Sequence, residues 1–487
     1  MPSNLLFIYT DEQAFNTLAT YGNDRIEMPN LNRLASESTV FDECYVTQPV
    51  CTPSRSTLLT GLYPHTTGLT ENNVPLKPET KCLPEMLSDE YVTAHHGKWH
   101  LGNEVYAQHG FKEWVSIEDG YNGWNTEGFP KDKRSDYYHW LIDKGFTPKD
   151  GKWFGRHEAT RLPEEHGKPA FLAENASRFL RENRDKPFAL YVNFLEPHMP
   201  FFGPRDDQYP LSDVPLPSNF EAVPGEEQTL KARLLRKNYA LKGASGVDLS
   251  SEQGWKQLIA QYWGLCSLVD THVGTILDTL DECGLRNNTI VVFTSDHGDM
   301  MGSHQMVAKT VMFQEAVRVP FMIRLPGQSA GKRVMGPVSQ IDVLPTLLDL
   351  MDRPVPDHVQ GKSLRPWIED PSKRHDEDVF IEWNGPNNGL GDVEGKVSIP
   401  EWMAEEATRE EIIATSVDPI RTIVAPNGWK FCWSPLGEHE LYNLREDPGE
   451  TTNVVKDPAN TELIADLKSR ITAWQQKVGD AVEFGQA

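Results

Sequence analysis

Short apolar, β-rich runs recur along the chain: Leu5 to Tyr9, Phe188 to Phe194, Ile290 to Phe293 and Val319 to Ile323. Each is bounded by turn residues and separated from the next by helix-length sequence. That is the pattern of buried parallel strands in an α/β sheet. Between the second and third runs, Leu258, Tyr262, Leu265, Val269, Val273, Ile276 and Leu280 recur at spacings of three or four. These spacings predict a helix with one apolar stripe turned to the sheet. Polar residues close several runs: Thr10-Asp11-Glu12-Gln13, Glu196-Pro197-His198 and Ser295-Asp296-His297. Ligands of open α/β sheets bind beyond the carboxyl ends of the strands, so these tails are expected to converge.

After about Pro371 the texture changes. Val379 to Trp383 reads as one more strand, Asn384 to Asp392 is rich in Gly and Asn, and Pro400 to Ile413 is an acidic helical insertion. Arg421 to Val424, Trp429 to Trp433 and Glu440 to Tyr442 read as short antiparallel strands, with turns at Pro426-Asn427-Gly428 and Pro435-Leu436-Gly437. Leu463 to Val478 closes the chain as an amphipathic helix. The expected partition is a large α/β domain over residues 1–375 and a smaller α+β one over 376–487.

Composition narrows the function. A hydrophobic content of 38% over 487 residues is ample for a packed core. With 47 basic against 71 acidic side chains the net charge is −24, which argues against nucleic acid as a partner. No stretch approaches the roughly 18 apolar residues of a membrane helix. Met1-Pro2-Ser3-Asn4 runs directly into the first strand, without the charged and apolar regions of a signal peptide, which points to the cytoplasm. Six cysteines without CxxC spacing signal neither a disulfide framework nor a zinc site.

Chemistry concentrates in a few segments. The densest is Cys51-Thr52-Pro53-Ser54-Arg55, continuing through Thr60-Gly61. By physical chemistry alone, a cysteine just before a Pro-initiated helix suits a low-pKa thiolate, stabilised by the helix N-terminus and Arg55. In Gly97-Lys98-Trp99-His100-Leu101-Gly102, residues two apart on an extended segment share a side, so Lys98 and His100 are expected to face one pocket. Further candidates are His198 in Glu196-Pro197-His198-Met199-Pro200, Asp296 and His297 in Ser295-Asp296-His297-Gly298-Asp299, Lys309, and Asp11.

The cysteine segment matches the CxPSRxxxxTG signature at every fixed position, and the chain resembles the sulfatase family. The Lys98–His100, His198, Asp296 and Asp11 segments are similar to further family motifs, and weaker echoes extend over nearly the whole chain. The resemblance implies an alkaline-phosphatase-like α/β/α sandwich with a smaller C-terminal antiparallel subdomain. It implies hydrolysis of a sulfate ester to inorganic sulfate and an alcohol, on a formylglycine made from Cys51 by a formylglycine-generating or anaerobic maturase enzyme. A hydrated aldehyde explains why plain serine would not serve: one hydroxyl attacks sulfur, and the other collapses to expel sulfate.

Carried over residue by residue, Asp11, Cys51, Asp296 and His297 hold a divalent cation, Ca²⁺ ahead of Mg²⁺ or Mn²⁺. Glu12 stands where relatives often have a second Asp, and its coordination is open. Arg55 holds the nucleophile, and Lys98, His198 and Lys309 contact the sulfate. His100 is assigned as base and His198 as leaving-group acid, an assignment that the sequence would allow to be exchanged. His297, where many relatives carry Asn, resembles the choline-sulfatase and phosphonate-monoester-hydrolase branch. It keeps a phosphonate monoester or phosphodiester hydrolase as the alternative. Residues from about Gly120 to Gly167 and Leu211 to Leu249 find no counterpart and are expected to supply specificity loops. A sulfated carbohydrate or another small sulfate ester is the expected substrate.

Overall fold

The computed structural model describes residues 3–385, 390 and 399–484. Most of the Gly- and Asn-rich run from Asn384 to Asp392 therefore lies outside the described residues. The large sheet has nine strands: β1 (Asn4–Asp11), β2 (Thr39–Tyr45), β3 (Val92–Gly97), β4 (Glu113–Ser116), β5 (Phe188–Pro197), β6 (Thr289–Ser295), β7 (Arg318–Val319), β8 (Phe321–Arg324) and β9 (Lys332–Ser339). They are ordered β4-β3-β5-β1-β6-β8-β2-β7, with β9 also on β2.

The centre of the sheet is parallel, β5 and β6 flanking β1 in continuous register from Leu5 to Tyr9. Every side chain of β1 is buried, and alternate residues feed two separate cores. Leu6 and Ile8 pack with the long helix Glu252–Glu282, whose seven stripe residues are all buried. Leu5, Phe7 and Tyr9 pack with Leu58 and Leu59 of the helix Cys51–Thr60 and with the helix Val343–Leu350 on the other face. A sheet covered on both faces reads as uninterrupted apolar sequence, and the result is the α/β/α sandwich.

One strand expectation is corrected. The run Val319 to Ile323 is not a parallel strand: Pro320, which has no N–H for a ladder, splits it into β7 and β8. Both pieces run antiparallel to β2, and β8 runs antiparallel to β6. The acidic insertion is also divided, into helices Glu401–Ala404 and Arg409–Val417, the second started by a capping box of Thr408 and Glu411.

The second sheet is antiparallel, with β10 (Val379–Glu382), β11 (Arg421–Val424), β12 (Trp429–Trp433) and β13 (Glu440–Asn443) in that order. Ile423, Phe431 and Leu441 bury one of its faces against Leu467, Ile471 and Trp474 of the terminal helix Thr461–Val478. Among the described residues no helix is long and apolar enough to cross a membrane, and all six cysteines are free thiols.

Candidate active site

The strand tails do converge. β3, β5, β1 and β6 are consecutive neighbours in the sheet, and their carboxyl ends carry Lys98, His198, Asp11 and Asp296 to one place. Cys51 arrives from the side, as the first residue of its helix rather than the residue before it. Pro53 sits in the first turn, where its missing N–H has no intrahelical partner to lose. Gln340 fastens this helix to β6, accepting from Ser54 Oγ and donating to the Ser295 carbonyl.

The ligand atoms of Asp11, Cys51, Asp296 and His297 lie within 4.8 Å of one another, and all four residues are buried. Cys51 Sγ is 3.2 Å from His297 Nε2 and 3.7 Å from Asp11 Oδ1. His297 Nδ1 donates to the Gly298 carbonyl at 2.9 Å, which fixes the tautomer and leaves the Nε2 lone pair facing the cluster. Arg55 sits behind, its Nε on Asp296 Oδ2 and its Nη2 on Asp11 Oδ2, both at 2.8 Å. Lys98 Nζ meets the same Asp11 oxygen. Two carboxylates thus face two cations, and burial of four charges is tolerable only because each is paired. Burial would raise Asp11, but Lys98 and the other neighbouring cations outweigh it and hold the carboxyl well below its ordinary range.

This arrangement corrects the thiolate reading of Cys51. Burial, with Asp11 beside it, pushes the thiol up to about 11. Burial and the two carboxylates, Asp11 and Asp296, outweigh the pull of Lys309 and Lys98. The contact with His297 therefore does not make a thiolate–imidazole pair for a cysteine hydrolase. The same donor set, two carboxylates, one imidazole with a free lone pair and residue 51, suits a divalent cation with a preference for oxygen.

Lys98 and His100 reach the site by a route other than strand alternation. β3 ends at Gly97, which has φ +117°, and His100 has φ +58°. A Cβ on Gly97 would lie 1.9 Å from the Asn193 carbonyl oxygen, so only glycine lets β3 approach β5 this closely. The turn is held by Glu104, which accepts the N–H groups of Trp99 and His100 at 2.8 and 2.7 Å. The His100 ring stacks on Tyr121 at 4.0 Å between centroids, and its Nε2 meets Asn73 Oδ1 at 3.0 Å. Its Nδ1 is buried with no protein partner.

Glu12 stands outside the four-residue cluster. In the left-handed region, with φ +67°, it turns Oε2 to Lys309 Nζ at 2.8 Å and to His198 Nε2 at 3.3 Å. Burial lifts its carboxyl to about 8 against the pull of Lys309, and Asp299 adds to the rise. His198 donates from Nδ1 to the Met199 carbonyl at 2.7 Å. Burial, then Lys309, holds the imidazole well below its ordinary value.

Sequence reasoning did not single out Glu104, Asn73, Tyr121 or Arg156. Arg156 bonds Glu118 at 2.7 Å and the Tyr121 hydroxyl, and its Nη1 is 3.5 Å from His198 Nδ1. Both Tyr121 and Arg156 come from the segment without counterpart, Gly120 to Gly167, and its position there was the only available signal.

Residues 3–353 match the sulfatase family profile. An arylsulfatase of Clostridium perfringens is 30% identical over 495 residues, which cover 96% of this chain and 93% of that protein. An N-acetylglucosamine-6-O-sulfatase of Bacteroides thetaiotaomicron is 29% identical over 93% of this chain and 82% of its own length. Among solved structures, a phosphonate monoester hydrolase from Silicibacter pomeroyi superposes with a TM-score of 0.76 at 22% identity, covering 98% of this chain and 95% of that one, and so shares the fold. The chain belongs to the sulfatase family. Its activity is that of a sulfuric ester hydrolase.

Proposed function

We propose that the enzyme removes sulfate from a sulfated carbohydrate, using formylglycine made from Cys51 by a maturase and a divalent cation, Ca²⁺ first. The observation that carries this reading is the convergence of Asp11, Cys51, Asp296 and His297 within 4.8 Å, with Arg55 and Lys98 neutralising both carboxylates. The cation would be held by those four residues and, with the aldehyde hydrated at residue 51, supplies an activated hydroxyl nucleophile.

The remaining roles belong to the chain's own side chains. Arg55 orients residue 51 through its fixed carboxylates, and Lys98 and Lys309 offset the charge of the sulfate oxygens. His100 suits the base: Nε2 donates to Asn73, which leaves the buried Nδ1 free to accept a proton. His198, with Lys309, is assigned as the acid: its Nδ1 is committed to Met199, so Nε2, beside Glu12, is the atom that must first take up a proton and then pass it to the leaving oxygen. For the alcohol half, Tyr121 is flanked by Trp124, which is 48% exposed, and together they offer an aromatic surface for a sugar ring. The N-acetylglucosamine-6-O-sulfatase relative supports the same class.

The test is the ratio of kcat/KM for an aryl sulfate to that for the matching aryl phosphonate monoester. It should be measured on protein whose aldehyde at residue 51 has been quantified by peptide mass spectrometry. A ratio well above one is expected, followed by turnover within a panel of monosaccharide sulfates. A ratio well below one would replace this reading with a phosphonate or phosphodiester hydrolase. Full activity in protein without aldehyde would remove formylglycine from the scheme.

A further inference from the structure

Between β2, β7 and β9 of the large sheet and the β12–β13 end of the small one lies a cleft of about 370 Å³, lined by none of the residues of the catalytic centre. Four arginines line it, Arg318, Arg333, Arg374 and Arg445, against two carboxylates, Asp42 and Glu43. In a chain of net charge −24 that is a local reversal of sign.

The hydrogen bonding shows how the charge is left over. Asp42 is already used: its Oδ1 pairs with Arg333 Nη2 at 2.5 Å, and its carbonyl accepts from Arg318 Nε and Nη2. Arg374 and Arg445 arrive from different segments, yet both donate to one oxygen, the Pro426 carbonyl, at 3.1 and 2.9 Å. Among the described residues neither meets a carboxylate. Two exposed guanidinium groups held at one neutral acceptor repel each other, and an anion between them reverses the sign of that interaction. The planar guanidinium also presents parallel N–H donors matched to the oxygens of sulfate or phosphate.

We propose that this cleft is a second anion site, which takes a tetrahedral oxyanion on the forks of Arg374 and Arg445, with Arg318 and Arg333 behind them. For a sulfuric ester hydrolase the oxyanion has two sources, free inorganic sulfate or a further sulfate group on a larger substrate. Because the lining comes from strands of the large sheet and from the turns flanking β12 and β13, an anion there ties the large sheet to the edge of the small one.

Calorimetric titration at fixed ionic strength tests this, with wild type compared with Arg374→Ala/Arg445→Ala. Two probes are used, sodium sulfate and a size-defined dextran sulfate oligosaccharide. If free sulfate is the ligand, wild type takes two sulfates and the double variant one. If the source is a larger substrate, sulfate shows one site in both proteins, and the oligosaccharide binds the variant at least about tenfold more weakly. In both cases kcat/KM for a small aryl sulfate stays unchanged, and so does the thermal midpoint without anion. Equal binding of both probes by the two proteins would overturn the site. Full affinity in Arg374→Lys/Arg445→Lys would overturn the fork geometry, because diffuse attraction needs only charge.

Discussion

The catalytic centre and the small antiparallel sheet both bury ion pairs, and they complete them differently. In the small sheet, Arg421 donates to both Asp480 oxygens, to the carbonyls of Trp383 and Ile420, and to Asn384. Lys430 is held by Glu450 at 2.5 Å and by the Met312 carbonyl. None of these four ionic side chains keeps a buried polar atom without a partner. At the strand ends, Arg55 and Lys98 are paired as tightly, but His100 Nδ1 is buried and unpartnered, while the Glu12 and Asp299 carboxyls hydrogen-bond each other. A buried polar network normally closes on itself. Here the open atom is His100 Nδ1, the one assigned above to take up a proton.

The largest expected effect breaks the centre alone. Cys51→Ala should lower kcat/KM by at least about 1,000-fold, leaving only binding and electrostatics. Cys51→Ser should release one equivalent of alcohol and then stall, and steady turnover by that variant would refute the need for an aldehyde.

The next pair sets the two regions side by side. Arg55→Met and Arg421→Met should each cost about 3–5 kcal/mol, since each strands buried carboxylate charge. Urea midpoints measure that loss. Only Arg55→Met should also lower kcat for the molecules that remain folded, and a matching kcat loss in Arg421→Met would erase the distinction. His198→Ala should slow esters of alkyl alcohols by about 100-fold and those of acidic phenols far less. Equal losses would remove it as the acid.

The smallest effect lies where the helix Pro64–Thr67 meets β10. His65 Nδ1 is 2.6 Å from Glu382 Oε1, and although burial would lower its pKa, Glu382 raises it above the ordinary 6.5. A raised histidine stabilises the folded state fully below 6.5 and loses that contribution as pH climbs through the folded value. Urea midpoints of wild type against His65→Gln, followed from pH 5.5 to 9, should converge as pH rises. A difference that stays constant with pH would mean that the pair is neutral throughout.

The parallel strands β1, β5 and β6 were legible because burial on both faces leaves an unbroken apolar run, and their polar tails stood out by contrast. β2 was not legible. Asp42 and Glu43 interrupt it because they face the arginine cleft, so a strand half given to a polar surface loses its periodic signal. β9 fails for a related reason, with an exposed, basic first half at the margin of the sheet. The positions of Cys51, Asp296 and His297 followed from motif resemblance, but the environment of Cys51 did not. Helix start and nearby arginine are local facts, whereas Asp11 arrives from 40 residues away. Tyr121 and Arg156 had no local mark at all, since a loop side chain owes its place to the surface it folds against.

All ten side chains of the helix Cys51–Thr60 are buried, and Cys51 itself is 2% exposed. Under the proposed conversion, that sets a clock. The thiol is reachable only while the helix has no sheet above it, so maturation and folding compete for each newly made chain. A chain that folds first is a permanent bystander, as sound in structure as its neighbours and closed to later repair. A preparation is then a mixture of two fixed populations, with specific activity proportional to the converted fraction. Incubating folded protein with the maturase should leave that fraction where synthesis set it.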